Sequence, residues 1–333
     1  MDPLTQGVLG ATLPQAMSPG KQYVASAGML GFFAGMAADL DVLIRSNSDP
    51  LLFLEYHRQF THSLIFIPIG GYICALILHA LMGKRRYLRF NHSWLFCTLG
   101  YATHALLDAC TTYGTQLLWP FTDARIAWNI ISIIDPLYTI PLTLGFVLST
   151  RRRSAFIARL ALAWALIYPL IGVLQRERAE AAGWELATQR GHMPMSLEAK
   201  PSIGNLILWK TVYATTDKYY IDAVRVGMGV TIYQGQSVAK LDIARDMPWL
   251  NPESQQARDL ERFRWFSNGY IAKDPDHPYK VIDIRYSMIP NEIKALWSIE
   301  LFPGAALDKH ADYRTERNVN DGTLKTFLDM LSP

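Results

Sequence analysis

The sequence predicts a helical membrane bundle, with about five spans and a short N-terminal helix, followed by a soluble α+β domain. Half of the 333 residues are hydrophobic and only 18% are charged, whereas a soluble protein has about 25% charged residues. The apolar surplus lies in the first half of the chain, and the second half shows the apolar–polar alternation of strands. We therefore divide the chain into a transmembrane domain, 1–175, and a soluble domain, 176–333.

The predicted membrane spans follow a short apolar segment, 4–17, which is shorter than the roughly 20 residues that cross a bilayer. The start of the chain, Met1-Asp2-Pro3, lacks the basic residues of a cleavable signal, so we expect the first helix to be retained. The five predicted spans are 22–40, 63–82, 92–110, 129–149 and 154–174.

Basic residues between these spans predict their orientation, because cytoplasmic loops carry an excess of Lys and Arg. The basic segments are 84–89 and 151–153, with Lys21 as a weaker marker. Each of these loops joins two spans whose other ends must face outward. The domain after residue 175 is therefore expected outside the cytoplasm.

A histidine and a carboxylate, His104 and Asp108, lie inside the predicted span 92–110. Their i, i+4 spacing places both on one helical face, about 6 Å apart along the axis. Ionisable groups in a membrane are costly, so such a pair predicts a functional site. A hydrogen-bonded pair that braces the bundle is the alternative, and we favour metal ligation.

Five further polar side chains are expected near the outer leaflet. Asp39 and Asp41 end the span 22–40, and His57 and His62 lie in the loop that follows. Asp135 lies about 9 Å inside the outer end of its own predicted span. Taken singly, the aspartates could cap a helix and the histidines could be ordinary loop residues. Their shared depth indicates a common metal site.

Imidazole and carboxylate ligands without thiolate suit Zn²⁺, Mn²⁺ or Fe, and we favour zinc, as one or two ions. Two ions about 3.5–4 Å apart would polarise an ester or phosphate and activate water near neutral pH. The three cysteines have no CxxC spacing and are assigned to packing; they are Cys74, Cys97 and Cys110.

Two arginines, Arg58 and Arg125, are candidates to hold an anionic substrate group, because a guanidinium is a forked donor that matches phosphate and carboxylate. Interfacial snorkelling is the alternative for both, and Arg125 could instead pair with Asp135. The net charge of +3 gives no reason to expect a nucleic-acid partner. The expected partners are membrane lipid and a lipid or lipid-linked substrate.

Five motifs carry a resemblance to a known family: MDPLTQG at the start, GMAADLD at 35–41, HRQFTHS at 57–63, HALLDACTTYGTQLLWPF at 104–121 and IIDPLYT at 133–139. They make the chain similar to the bacterial inner-membrane, metal-dependent hydrolases often called YdjM-like. The resemblance implies a hydrolase of the bacterial inner membrane, with a periplasmic C-terminal domain under the orientation above. Gln6 and Ala38 stand where relatives commonly have histidine and proline. The residues on the family's polar motif positions are Asp39, Asp41, His57, His62, His104 and Asp108.

Three functions remain open at this point. The favoured one is a membrane-embedded metal-dependent hydrolase of a lipid or lipid-linked ester or phosphoester, in which Asp135 is a further ligand or an orienting residue. The second is a metal-ion or solute transporter, which would need access from both faces, whereas the inner halves of the spans are almost purely apolar. The third is a non-catalytic envelope scaffold or regulator.

The C-terminal domain is predicted to begin with a linker helix, 175–190, and to contain helices at 252–262 and 322–331. It shows no metal-ligand spacing and no phosphate-binding loop. We expect it to cover the outer mouth of the bundle and to restrict or present substrate. Its predicted strands are 205–213, 219–226, 262–270, 280–286 and 295–302.

Overall fold

The computed structural model describes residues 1–316 and 321–332, and the chain divides into two compact units. The first unit, which is helical, comprises Met1–Ile44, Tyr56–Val173 and Ile203–Asn205. The second unit contains two β-sheets. Its three segments are Arg45–Glu55, Leu174–Ser202 and Leu206–Pro333.

Helices make up most of the N-terminal part of the chain. Asp2 caps the first helix with its side chain, and Pro3 occupies the first helical position, where its missing N–H costs nothing. The second helix continues as a tighter 3₁₀ helix over Ala37–Leu43. The helices are α1 (Pro3–Ala16), α2 (Val24–Met36), α3 (Leu52–Tyr56), α4 (Ile67–Leu78), α5 (Phe90–Cys110), α6 (Pro136–Arg152) and α7 (Ala155–Gln189).

Three helical segments of the described chain are long and apolar enough to cross a membrane: Val24–Leu43, Leu64–Arg86 and Ala155–Gln189. The prediction of about five spans is therefore not supported. The predicted span 92–110 lies in α5, which carries ionisable and other polar groups. The predicted span 129–149 becomes helical only at Pro136, because Asp135 caps α6, and α6 is only 17 residues long.

Close packing of α2 against α5 depends on glycine. A Cβ atom added to Gly100 would lie 2.5 Å from the carbonyl oxygen of Gly31, so neither helix leaves room there for even a methyl group. Around this contact, Leu30, Ala34 and Phe96 are buried in a shared apolar core. The two backbones are therefore near neighbours along the part of α5 that leads to His104.

The second unit is a soluble domain built on two four-stranded antiparallel sheets, in each of which the strands are ordered as in the chain. The first sheet contains β1 (Ser196–Pro201), β2 (Leu208–Ala214), β3 (Lys218–Val226) and β4 (Val230–Ala239). The second contains β5 (Ile271–Lys273), β6 (Lys280–Asp283), β7 (Trp297–Glu300) and β8 (Asp312–Thr315). The remaining helices are α8 (Ile243–Asp246), α9 (Gln255–Phe266) and α10 (Asp321–Leu331).

One prediction for the C-terminal part is wrong. The segment 262–270 is not a strand, because α9 runs on to Phe266: Ser254 caps this helix, and Leu260 and Phe263 bury one of its faces at i, i+3 spacing. The predicted linker helix, 175–190, is helical and continues the helix of the predicted span 154–174, since α7 runs from Ala155 through Gln189.

Candidate metal centre

The first unit contains a buried polar cluster, to which α5 contributes His104 and Asp108. His104 and Asp108 are both fully buried. The Nδ1 of His104 donates to the carbonyl oxygen of Gly35 on α2, at 2.5 Å, which the close approach of the two helices makes possible. Since Nδ1 carries the proton, Nε2 of His104 keeps its lone pair for a metal ion.

His62 lies between carboxylates on both sides of its ring. Its Nε2 is 3.5 Å from Asp39 Oδ1 and 3.3 Å from Asp108 Oδ2, while its Nδ1 is 3.2 Å from Asp41 Oδ2. With a proton on Nδ1 facing Asp41, Nε2 of His62 is also left as a ligand atom. Asp39 and Asp41, two residues apart in the 3₁₀ helix, therefore meet opposite edges of the same imidazole.

Four candidate ligand atoms converge in this cluster, from Asp39, His62, His104 and Asp108, all within 4.8 Å of one another. His104 Nε2 lies 3.3 Å from Asp39 Oδ1 and 3.6 Å from Asp108 Oδ2. Bonds of about 2.0–2.1 Å in a tetrahedral zinc site imply ligand atoms roughly 3.3 Å apart. The His–Asp distances in the cluster, 3.3–3.6 Å, fit that spacing.

Three of these four atoms are buried and make no hydrogen bond: His62 Nε2, His104 Nε2 and Asp108 Oδ2. A buried polar atom left without a partner is costly. Three such atoms directed at one another would be satisfied by a cation that they share. The residues present therefore fit a divalent metal ion.

The three carboxylates around His62 favour a cation, although Arg58 and the amino group of Met1 offset part of the charge of Asp108. Burial opposes a charge on His62, but the Asp108, Asp39 and Asp41 carboxylates around it raise its pKa to about 10. The negative potential that holds a proton on this imidazole would also hold a divalent ion, with the proton released on binding.

Asp41 orients its neighbours through hydrogen bonds. Its Oδ2 accepts from the backbone N–H of Arg58, at 3.0 Å, and from the hydroxyl of Thr61, at 2.7 Å. Its Oδ1 is 2.7 Å from His57 Nδ1. Asp39, Asp41 and His57 nevertheless form a second group of possible ligand atoms within 4.8 Å of one another, and Asp39 belongs to both groups.

His57 is the more accessible of the two loop histidines, with a side chain 17% exposed. Burial lowers the pKa of the His57 imidazole, and the hydrogen bond to Asp41 acts in the opposite direction. Asp39, at 24%, is the exposed member of the four-ligand group. The cluster therefore opens to its surroundings on the side of Asp39 and His57.

The two predicted anion-binding arginines both lie against Tyr113. The guanidinium carbon of Arg58 is 4.8 Å from the Tyr113 ring centre and that of Arg125 is 5.8 Å from it, and this ring is 5.9 Å from the ring of His57. Arg58 also places Nε 3.1 Å from Asp108 Oδ2. Arg125 donates to the carbonyl oxygen of Gly114 at 3.0 Å.

Asp135 is in neither group of possible ligands. Its side chain caps α6 by accepting from the backbone N–H groups of Leu137 and Tyr138, and it also accepts from the hydroxyl of Tyr168, at 2.8 Å. Its side chain thus caps α6, for which the Asp-Pro sequence is a typical signal, and its role as a further ligand or an orienting residue stays a prediction.

Residues outside the predicted set also touch the cluster. The Nε2 of Gln6 donates to Asp108 Oδ1 at 2.9 Å, and the amino group of Met1 lies 2.6 Å from the same oxygen. These contacts turn the other oxygen, Oδ2, toward the histidines. Gln6 is fully buried in an apolar helix. A polar amide within an apolar segment of the sequence was the signal that could have identified it. Thr61 was likewise missed, although it lies within HRQFTHS.

Comparison with known proteins places this geometry in a family. The model of the YdjM inner membrane protein family matches residues 1–179, which include every residue of the cluster. The chain belongs to the YdjM inner membrane protein family. The family match covers more than half of the chain, and the C-terminal sheets lie outside it.

Two curated relatives share part of the YdjM region. The inner membrane protein YbcI of Escherichia coli (strain K12) is 34% identical over 109 residues, which are 31% of this chain and 60% of YbcI. The uncharacterized protein YfhP of Bacillus subtilis (strain 168) is 30% identical over 114 residues, 34% of each chain. The chain thus spans about a third of one relative and three fifths of the other. No solved structure matches it significantly.

Proposed function

We propose that this YdjM family protein is a membrane-embedded, metal-dependent hydrolase acting on a lipid or lipid-linked ester or phosphoester. The observation that carries the proposal is the convergence of buried ligand atoms from His62, His104 and Asp108 that make no hydrogen bond. Asp39, the fourth candidate ligand, is partly exposed, so it is the ligand that water would replace in a catalytic site, which keeps one coordination position open.

Asp39, His62, His104 and Asp108 hold the metal ion in this proposal, and zinc suits two imidazoles with two carboxylates. A bound ion would supply Lewis-acid polarisation of an ester or phosphoryl oxygen and would lower the pKa of a water molecule. Asp41 fixes the orientation of His62 from the far side of its ring, as carboxylate partners of ligating histidines do.

His57 is the residue placed to accept a proton. Its Nδ1 is bonded to Asp41, so the neutral ring presents Nε2 as the basic nitrogen, and its lowered pKa keeps it neutral near pH 7. In this assignment Asp41 and His57 act as an orienting acid and a general base rather than as primary ligands.

Arg58 and Arg125 supply the positive charge for an anionic group. Both guanidinium groups lie against Tyr113, whose ring neighbours His57. Two cations beside a metal cluster favour a phosphoester over an uncharged ester. The membrane spans and the exposed edge at Asp39 favour a lipid-borne substrate entering at the outer leaflet, with the C-terminal domain in the periplasm.

The test is metal content and turnover of the purified full chain in detergent. We expect about one ion per chain in the wild type and loss of the ion in His104→Ala and in Asp108→Asn, because each substitution removes a proposed ligand. His57→Gln should retain the ion and lose hydrolysis of a panel of lipid phosphoesters. His79→Ala is the matched control, since this histidine lies in the same unit and bonds to Ser93.

Other outcomes would overturn the proposal in distinguishable ways. If the wild-type protein binds no metal, the proposed catalytic site does not exist. Stoichiometric metal that depends on His104, together with movement of the ion across proteoliposomes and no hydrolysis, indicates a transporter. Loss of metal in His57→Gln would make that residue a ligand.

A further inference from the structure

The point at which α7 leaves the membrane defines a membrane depth, and part of the C-terminal domain is hydrogen-bonded to the helix at that depth. The helix is apolar from Ala155 to Leu174 apart from Arg159, and becomes polar at Gln175. Twenty residues at 1.5 Å each span about 30 Å, the thickness of a hydrocarbon core. Gln175 therefore marks the edge of the hydrocarbon core.

The turn between β3 and β4 is fixed at this level by hydrogen bonds to α7. The Nε2 of Gln175 donates to the carbonyl oxygen of Val226 at 2.8 Å and to that of Leu206 at 3.1 Å. One helical turn further on, Arg178 donates to the carbonyl oxygen of Gly227 at 2.8 Å. The turn and the neighbouring segment at Leu206 thus lie beside the first polar turn of the helix.

The side chains presented here are apolar and exposed. Met228, between two glycines at the tip of the turn, is fully exposed, Val230 is 49% exposed and Ile207 is 40% exposed. We call these three residues the tip patch. Exposure of these side chains to water does not stabilise the protein, whereas transfer of apolar surface from water into lipid is favourable by about 25 cal/mol per Å².

Positive charge flanks the tip patch. Arg178 is exposed beside Gly227, and Arg225 precedes the turn in β3. Cations beside an apolar tip are the pattern of a surface that sits among anionic headgroups, where each contributes about 1 kcal/mol.

We propose that the tip patch is a lipid-binding surface: Met228 and its neighbours insert into the interfacial layer of the leaflet from which α7 emerges. The occupant is the bilayer itself, because the hydrogen bonds to Gln175 and Arg178 hold the patch at the edge of the hydrocarbon. The C-terminal domain then has two membrane attachments, the covalent one through α7 and the tip patch. This inference does not depend on the proposed hydrolase activity.

The test measures membrane depth in the full chain reconstituted in nanodiscs that contain anionic lipid. Met228→Cys and Met193→Cys, each in a Cys110→Ser background, are labelled with an environment-sensitive fluorophore. Met193 is the matched control, because it is 90% exposed and follows the end of α7, about 20 Å beyond Gln175 along the helix axis. Unsubstituted Cys110→Ser protein measures background labelling of the buried cysteines.

We expect a blue-shifted emission at 228 and quenching by shallow doxyl lipids at least threefold stronger than at 193, with weaker quenching by aqueous iodide. Equal quenching at the two sites would overturn the proposal. Protection of 228 in detergent that depends on protein concentration would also overturn it, since the occupant would then be a second copy of the chain.

Discussion

At position 210 a lysine lies within the central strand β2 of the first sheet and is only 4% exposed. Its Nζ donates to Ser287 Oγ at 2.7 Å and to the carbonyl oxygen of Glu292 at 2.9 Å. Burial lowers the pKa of Lys210 from 10.5 to about 7. The folded protein therefore releases this proton at a lower pH than the unfolded chain.

The pH dependence of stability follows from that difference. Between pH 7 and pH 10 the unfolded state binds more protons, so the free energy of unfolding should rise with pH, by at most about 1.4 kcal/mol per unit from this group. Below pH 7 both states are protonated and the contribution of this group is constant. Thermal unfolding at pH 7, 8 and 9 should show a smaller rise in Lys210→Met than in wild type; equal slopes would contradict this account.

The site residues show how far sequence reasoning reaches at the residue scale. Spacing and shared membrane depth selected the six aspartates and histidines that the structure brings into two adjoining groups. The sequence did not show which of these residues would bind the ion and which would orient a neighbour. Those roles depend on tertiary contacts: the hydrogen bond from His104 to Gly35 and the carboxylates on either side of His62. For Asp135 the sequence could not separate a helix cap from an intramembrane acid, because both have the same local sequence, and its role in the site stays a prediction.

Among the elements, α9 holds the segment Arg45–Glu55 through one side chain. The guanidinium of Arg262 binds both oxygens of Asp49 at 2.9 Å, Glu55 at 2.5 Å and Asp259 at 3.0 Å. This segment connects the chain carrying Asp39 and Asp41 with the chain carrying His57 and His62. One cation thus neutralises three carboxylates of the second unit.

Removing that cation should destabilise the second unit. Arg262→Ala leaves three carboxylates facing one another, and we expect a loss of about 1–3 kcal/mol, less than the 3–5 kcal/mol of a fully buried pair because the side chain is 18% exposed. Arg264→Ala, in the same helix and paired with Glu261 at the surface, should cost no more than about 0.5 kcal/mol. The measurement is the chemical unfolding midpoint of each variant, and equal losses would refute the assignment.

Element boundaries were less predictable than element types. The strands β2, β3, β6 and β7 overlap predicted strands, because their alternating apolar residues face a core. The edge strand β4 was missed since most of its residues are exposed and several are polar, which gives no alternation to detect. The aromatic residues after Arg262 suggest a strand locally, but their i, i+3 spacing serves the buried face of α9.

At the level of the whole molecule, three crossings by the candidate spans would put the C-terminal domain on the opposite side of the membrane from Lys21, and this orientation stays a prediction. The number of crossings stays odd if α5 and α6 both cross the membrane or if neither does. The basic segment 84–89 precedes α5, and the basic segment 151–153 lies at the end of α6. The chain from α5 to α6 therefore begins and ends with the positive charge expected on the cytoplasmic side. Apolar composition alone indicated the membrane class, but it overcounted spans because α5 and α6 are also apolar.

This orientation is testable with a membrane-impermeant maleimide on spheroplasts. In the Cys110→Ser background, Met193→Cys should react from outside, whereas Tyr87→Cys, also at a highly exposed position, should react only after permeabilisation. The physical reason is the cost of moving the Lys84–Arg89 charges across the bilayer. The reverse pattern would place the C-terminal domain in the cytoplasm.

The glycine contact between α2 and α5 has a consequence for ion discrimination. Asp39 follows α2 and the pair His104 and Asp108 belongs to α5, so the separation of these two backbones would limit the radius of an ion held in the proposed metal site. A larger cation such as calcium, with oxygens about 2.3–2.6 Å away, would have to part the helices and give up the bond from His104 to Gly35. If the proposed site binds a metal ion, the hydrogen atoms that Gly31 and Gly100 carry in place of methyl groups would therefore favour a small cation over a large one.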